Sequence, residues 1–278
     1  MRIAATVAIG VMALLFVASI VVIGRGRFQT ARAELGYRLR TGVPFLAVLG
    51  AVLLFNAQVR TAAHDLSWAI GWRITPRIRS IEGETVILLQ SAFGEPFAWF
   101  FSFMYVYGYV FLLVFPLIAY FLLEKLDIFK ALTVAYAANY AIGLVCYILF
   151  VAYGPRNAFE VWEPLYQTVH PQFHLLTSVV NQNTNVFPSL HTSLSATVML
   201  FAWRTREDYP IWLIVASFFG ISIIVSTMYL AIHWAIDAVF GLVLAYVAYR
   251  IGLRAVENEW AARVTPGPLR ERLARLTR

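Results

Sequence analysis

Long apolar runs separated by short polar segments make up most of the chain. Because backbone groups cannot stay unpaired in hydrocarbon, an apolar run of about 20 residues crosses a membrane as a helix. The pattern predicts seven such spans, at residues 3–24, 42–59, 97–123, 130–153, 188–204, 211–230 and 233–252. The fifth run is short and carries several Ser and Thr, which suits a helix that faces the interior of a bundle.

The first apolar run could in principle be a cleaved signal peptide. At roughly 22 residues it is longer than the apolar part of a signal peptide, and no A-x-A-like cleavage site follows it. The pattern therefore predicts a retained membrane span.

Composition agrees with a membrane location. Hydrophobic residues make up 60% of the chain and charged residues 13%, with a mean hydropathy of +0.71, which is more apolar material than one water-soluble core of this length needs. The net charge of +7 could suggest a nucleic-acid partner. However, the basic residues lie at the ends of apolar runs and form no continuous stripe, so we expect no nucleic acid. The single cysteine, Cys146, excludes an internal disulfide.

The distribution of Arg and Lys predicts the orientation. Arg is concentrated in residues 25–41 and 254–278, and such segments stay in the cytoplasm. Counting seven spans then places the N-terminus and the longer segments 60–96 and 154–187 on the outer side. Within the first of these, Leu66–Ile74 is predicted to be a helix lying in the membrane interface.

Three small polar clusters interrupt the apolar second half, at residues 153–156, 187–193 and 226–241. The predicted topology places all three at the outer face, although only loop charges were used to derive it. Three clusters at one membrane face can converge on a common site.

His233 and Asp237 are the strongest chemical pair in these clusters. A spacing of four residues stacks both side chains on one helix face. The carboxylate can accept a hydrogen bond from one ring nitrogen and leave the other nitrogen free to attack. Gly241, one turn further on, would let a neighbouring helix approach closely.

The other two clusters supply groups that suit a phosphate. Pro188 and Ser189 are typical of a helix start, where unpaired amides and the Ser hydroxyl can bind an oxyanion. His191 lies close enough to protonate a leaving oxygen. Arg156 offers a forked donor that matches two phosphate oxygens.

These residues resemble the motifs of the type-2 phosphatidic acid phosphatase superfamily of membrane lipid phosphatases and phosphotransferases. Pro188-Ser-Leu-His191 is similar to its P-S-G-H motif, and Ser226, His233 and Asp237 match its S-R and H-x-x-x-D motif. The resemblance covers residues from about 42 to 252. It implies an all-α polytopic transmembrane bundle with a six-helix catalytic domain at 42–253, an extra N-terminal transmembrane helix with a basic loop at 1–41 and a basic cytoplasmic tail at 254–278.

The resemblance also implies roles for individual residues. His233 would be the nucleophile that forms a phosphohistidine, Asp237 would orient it, and His191 would be the general acid. The implied phosphate-binding residues are Arg156, Ser189, Leu190 and Ser226. Candidate contacts to a lipid headgroup are His170, His174, Asn183 and Asn185. No metal and no cofactor is implied, and the substrate would be a lipid phosphate or phosphodiester in the bilayer.

Three departures from the motifs narrow the resemblance. Leu190 replaces the Gly of P-S-G-H, Thr227 replaces the Arg of the third motif, and Leu149 replaces the Lys of the first. This pattern looks like the branch that contains inositol phosphorylceramide synthases, which move a phosphoalcohol headgroup between lipids. Losing two cations suggests a less charged substrate such as a diester.

Other readings stay open at the level of sequence. A phosphatase acting on an isoprenoid pyrophosphate or on phosphatidic acid would carry the same motifs, because only the final acceptor differs. From another class, His191 and His233 could be axial ligands of a haem in a helical bundle. A transporter with paired ions inside the membrane is a third reading.

Overall fold

The computed structural model describes residues 2–158, 161–169 and 186–257, which are almost entirely helical. From the N-terminal end to residue 93, the elements are α1 (Arg2–Ala18), α2 (Arg25–Ala33), α3 (Leu35–Ile70), strand β1 (Trp72–Arg73), α4 (Thr75–Glu82) and α5 (Thr85–Phe93). After residue 93 come α6 (Ala98–Phe103), α7 (Tyr109–Phe121), α8 (Asp127–Leu149), strand β2 (Phe150–Val151), α9 (Pro155–Ala158), α10 (Leu190–Arg204), α11 (Pro210–Tyr229) and α12 (Ala235–Glu257). Short π-helical or 3-10 turns are at Ser19–Ile23, Glu95–Phe97, Met104–Gly108 and Leu165–Val169.

Six helical segments of the described residues are long and apolar enough to cross a membrane. They are Ala4–Ile23, Leu35–Val59, Glu95–Phe121, Asp127–Leu149, Pro210–Tyr229 and Ala235–Glu257. The chain is therefore an integral, multi-pass, all-α membrane bundle. The fifth predicted span, 188–204, is the helix α10, whose 15 residues rise only about 22 Å. The arrangement of seven spans and the orientation of the termini stay predictions.

Helix α10 lies in the middle of the bundle, against α8, α11 and α12. Its Ser and Thr side chains are buried, and two of them bond to Asn139 of α8. Ser193 Oγ donates to Asn139 Oδ1 of α8, and Asn139 Nδ2 donates to Thr197 Oγ1 at 3.1 Å. Because protein rather than lipid surrounds α10, a helix of low hydropathy can lie inside the membrane bundle.

The predicted interfacial helix at Leu66–Ile74 is wrong in its position. The helix α3 continues unbroken to Ile70, and β1 follows it and pairs in parallel with β2, Trp72 with Phe150. At the turn between them, a Cβ on Gly71 would lie 2.8 Å from the Ile148 carbonyl oxygen. The chain therefore crosses the end of α8 closely, and the short amphipathic helix of this segment is α4 instead.

Arg38 is not a solvent-exposed loop charge, although the sequence places it in the basic segment 25–41. Its side chain is buried, donates to the carbonyl oxygens of Phe121 at 2.9 Å and Leu123 at 2.6 Å, and pairs with Glu34 at 2.8 Å. These carbonyls belong to the end of α7, where helical hydrogen bonds run out. Arg38 thus joins α3 to α7.

The helices α8 and α12 pack closely along much of their length. They approach closely at Gly252, where a Cβ would overlap the carbonyl oxygen of Ala131. A missing side chain is what allows two helix backbones to meet in this way.

We predict that Gly252→Ala destabilises the bundle, because the added methyl must push α12 away from α8. Overpacking of this kind costs about 1–3 kcal/mol. The measurement is thermal unfolding of the purified protein in detergent. Gly50→Ala is the matched control, since Gly50 is also helical and a Cβ there meets no atom within 4 Å. An equal melting temperature for both variants would contradict the prediction.

Candidate active site

His233 is held by a tightly wound turn between α11 and α12. The Thr227 carbonyl oxygen accepts hydrogen bonds from the amides of both Ile232 and His233 at 3.0 Å. Ala231 adopts a left-handed conformation with φ of +56°, which costs a residue with a side chain about 1–2 kcal/mol. This backbone fixes the imidazole immediately before α12 begins.

The first turn of α12 is capped by two carboxylates. Asp237 Oδ2 accepts from the Trp234 amide at 2.9 Å, while Glu82 of α4 accepts from the amides of Ala235, at 2.9 Å, and Ile236. Unpaired amides and the helix dipole favour negative charge at this position. Glu82 therefore ties α4 to the helix that carries Asp237.

The start of α10 is docked against this same turn. The Ser189 amide donates to the Asp237 carbonyl oxygen at 3.0 Å, and Ser189 Oγ accepts from the Thr192 amide at 3.2 Å as the N-cap. A Cβ on Gly241 would lie 2.7 Å from the Ser189 carbonyl oxygen. The close approach expected at Gly241 is present, and it brings the 187–193 cluster against His233.

Three predicted catalytic side chains form a continuous row. His191 Nδ1 lies 3.3 Å from His233 Nε2, and His233 Nδ1 lies 3.5 Å from Asp237 Oδ2. The second separation is longer than a hydrogen bond, and Oδ1 of Asp237 has no hydrogen-bond partner among the described residues. His233 and Asp237 are both buried. The row places Asp237 on one nitrogen of His233 and His191 on the other.

Two tyrosines that sequence reasoning missed contact His191. The ring centroids of Tyr105 and Tyr109 lie 5.0 and 4.7 Å from that of His191. Tyr105 lies within the π-helical turn Met104–Gly108 and Tyr109 follows it; such a local widening is often found at functional sites. No motif marks these tyrosines, because an aromatic residue in an apolar run is ordinary.

Arg156 reaches the site from α9. Its amide donates to the Ala231 carbonyl oxygen at 3.1 Å, and a Cβ on Gly154 would overlap the carbonyl oxygen of Ile232. The 153–156 cluster thus packs directly on the turn that carries His233, and the two other clusters meet there as well.

Leu190 and Ser226 occupy different surroundings. The Leu190 side chain fills space beside α8 that exists because Gly143 has no side chain; a Cβ there would lie 2.8 Å from Leu190 Cδ2. Ser226 is buried and its Oγ donates to the Ile223 carbonyl oxygen at 2.7 Å, as Thr227 Oγ1 does to Ile224 at 2.8 Å. Both hydroxyl protons are therefore used within α11 rather than at His233.

The remaining predicted contacts, His170, His174, Asn183 and Asn185, lie outside the described residues.

The surroundings of His233 keep its imidazole neutral. Burial lowers the pKa of His233 to about 3, and the positive charge of Arg156 acts in the same direction. A neutral imidazole retains a lone pair on one ring nitrogen at neutral pH. Within the described part of the chain, no group of three or more His, Cys, Asp or Glu side chains could hold a metal ion.

One family model, described as the PAP2 superfamily, matches residues 85–251. These 167 residues, out of 278 in the chain, begin at α5 and include all three polar clusters. No curated protein and no solved structure matches the chain. The helix α4 with Glu82 precedes the matched region.

We predict that Gly143→Ala and Leu190→Ala are coupled in stability. Alone, Gly143→Ala forces the Leu190 side chain out of its space, and Leu190→Ala leaves a cavity. Each single variant is therefore less stable than the wild type. Together, the new methyl occupies part of the vacated space, and we expect the double variant to be about 1–2 kcal/mol more stable than the sum of the singles. Unfolding of all four proteins measures this. Gly50→Ala with Leu190→Ala is the control pair and should be additive; additivity of both pairs would contradict the packing argument.

We further predict that His233 titrates far below an ordinary histidine. Because its pKa is lowered, the ring stays neutral as pH falls through 6.5, where exposed histidines take up a proton. Nitrogen-15 NMR of histidine-labelled protein measures the midpoint, with His233→Ala identifying the signal. A His233 midpoint near 6.5 would contradict the burial argument.

Proposed function

Because this chain belongs to the PAP2 superfamily, we propose that it is a membrane enzyme that transfers a phosphorus-containing group of a lipid through a phosphohistidine at His233. The observation that carries the proposal is the row of His191, His233 and Asp237 at the junction of α10 and α12. Nucleophile, orienting acid and proton donor are the parts that such a reaction requires.

In the first step, the phosphorus group displaces His191 from its contact with His233 Nε2. The freed Nε2 attacks the phosphorus, and a P–N bond forms while the P–O bond to the leaving group breaks. Asp237 faces Nδ1 at 3.5 Å and stabilises the positive charge that develops on the ring; catalytic hydrogen bonds are often long before substrate binds. His191, protonated in the complex with the anionic substrate, gives its proton to the leaving oxygen and becomes neutral.

In the second step, the oxygen of water or of another alcohol attacks the phosphohistidine. The P–N bond breaks, the proton of the attacking O–H passes to His191, and His233 returns to its neutral state. Water as acceptor makes the protein a phosphatase, and a lipid alcohol makes it a transferase.

Arg156 and the start of α10 bind the phosphorus group in this proposal. The Arg156 guanidinium pairs with two oxygens, as planar forked donors do. The N-terminus of α10 at Ser189 and Leu190 supplies its helix dipole for a third oxygen. The close contact of Ser189 with Asp237 supports this arrangement, since it holds the oxyanion site beside the nucleophile.

The substrate we favour carries less charge than a phosphomonoester. Leu149 and Thr227 stand where the resembling motifs have Lys and Arg, and the Thr227 hydroxyl proton is engaged by Ile224. A phosphodiester lipid fits a site with fewer cations, as in transfer of a phosphoalcohol headgroup. Family membership supports the second candidate, hydrolysis of a lipid monoester or pyrophosphate.

Direct contact between the two imidazoles argues against the haem reading. With 3.3 Å between His191 Nδ1 and His233 Nε2, no macrocycle fits between the rings. The row of His191, His233 and Asp237 gives no support to a transport role, because its three ionisable side chains face one another.

The topology completes the proposal. We place the N-terminus outside, the C-terminus in the cytoplasm and the reacting groups at the outer face. The catalytic domain is 42–253, with 1–41 as an added helix and basic loop and 254–278 as a basic tail.

We predict that His233→Ala abolishes trapping of a labelled group from phosphatidic acid, an isoprenoid pyrophosphate or a phosphoinositol lipid, because the nitrogen that attacks the phosphorus is lost. His191→Ala should slow formation of the labelled protein about 10²–10⁴-fold through loss of the proton donor. Acid-labile label on the quenched protein is the measurement.

The control is His64→Ala, which changes a histidine that packs against Trp68 of α3, away from the row. It should label like the wild type. Label retained in His233→Ala would refute the phosphohistidine. The substrate that gives label, with water or a lipid alcohol as acceptor, decides between the two candidate functions.

A further inference from the structure

An apolar groove of about 460 Å³ lies beside the candidate active site, within the usual size of a ligand pocket. We call it the α8–α12 groove. One wall is a stripe of α12 that includes Ile236, Phe240, Val243 and Val247, and the other includes Cys146 of α8. Of the described residues that line it, every one is apolar except Arg77.

The groove begins at the active site. Ile236 directly precedes Asp237, and Pro188, which also lines the groove, directly precedes Ser189. From Ile236 the stripe runs eleven residues to Val247, about 16 Å along the helix axis. One end of the groove therefore lies against the catalytic row and the other lies deep along the bundle.

The charged residue that lines the groove, Arg77, lies at the end near the active site. Arg77 belongs to α4, which Glu82 ties to the first turn of α12, and its guanidinium lies 4.4 Å from the ring centroid of Trp72. A cation held by an aromatic ring at one end, followed by an apolar channel, is complementary to an amphiphile with an anionic group and a hydrocarbon chain.

The groove is also open to lipid along its length. Val243 is 56% exposed and Val247 41% exposed on the face of a membrane-spanning helix. A chain of hydrocarbon can therefore enter sideways from the bilayer without crossing a polar barrier.

We propose that the α8–α12 groove binds one hydrocarbon chain of the lipid whose phosphorus reacts at His233, with Arg77 meeting the anionic end of that lipid. The proposal rests on the proposed function, and it adds a specificity element to it. The length of apolar wall beyond Ile236 makes long-chain lipids better substrates than short-chain ones.

Turnover with two chain lengths is the first test. Val243→Trp fills the groove, and we expect the ratio of kcat/KM for a dipalmitoyl over a dihexanoyl substrate of the same headgroup to fall about tenfold, as when about two methylene groups lose apolar contact. Val239→Trp is the matched control, because Val239 lies one turn away on α12, is also 56% exposed and does not line the groove. It should keep the wild-type ratio. Equal ratios in both variants would overturn the proposal.

The single cysteine provides a second test that needs no turnover. Cys146 lines the groove, so its reaction with N-ethylmaleimide in detergent reports whether the groove is empty. In His233→Ala protein, the dipalmitoyl lipid at about ten times its Kd should slow labelling roughly tenfold, since about a tenth of the groove stays empty. The dihexanoyl lipid should protect far less at the same concentration.

The control for lipid bound loosely around the protein is Cys146→Ala with Val239→Cys, whose thiol should gain no protection. Equal protection of the thiols at positions 146 and 239, or no protection of Cys146, would overturn the proposal that the groove binds a lipid chain. If no phosphorus group is released in a His233-dependent way while Cys146 is protected, the proposed reaction fails and the groove remains a lipid site.

Discussion

The junction between the start of α10 and the first turn of α12 is the contact on which the site depends. One backbone hydrogen bond, from the Ser189 amide to the Asp237 carbonyl oxygen, sets the register of the two helices, and the bare Cα of Gly241 lets them come this close. His191 and His233 then face each other because each lies within a few residues of that bond. The burial of His233 beside the buried Asp237 keeps the imidazole of His233 neutral.

Much of this arrangement could be predicted from local patterns. Apolar runs mark the six membrane-crossing helices, because hydrocarbon forces every backbone group into an internal hydrogen bond. The spacing of four between His233 and Asp237 places both on one helix face, and Gly241 extends the same stripe. Ser189 is the N-cap of α10, as its position before a helical run indicates. The roles of these residues in a reaction stay predictions.

Other features depend on contacts between distant segments, which no local pattern records. Glu82 caps α12 from more than 150 positions away in the chain, and Arg38, which counts as a loop charge in the sequence, is buried against the end of α7. The helix expected at Leu66–Ile74 is absent because α3 and the β1–β2 pairing take its residues. Partners of this kind are set by tertiary packing, which overrides a local amphipathic pattern.

The short length of α10 limits how far this helix reaches across a membrane. A helix that rises about 22 Å cannot reach both surfaces of a hydrocarbon layer about 30 Å thick. With Arg204 placed at one surface and the helix along the membrane normal, the end bearing His191 would lie roughly 8 Å inside the other surface. In the proposed reaction, the lipid phosphorus would then have to move inward from the headgroup layer to reach His233.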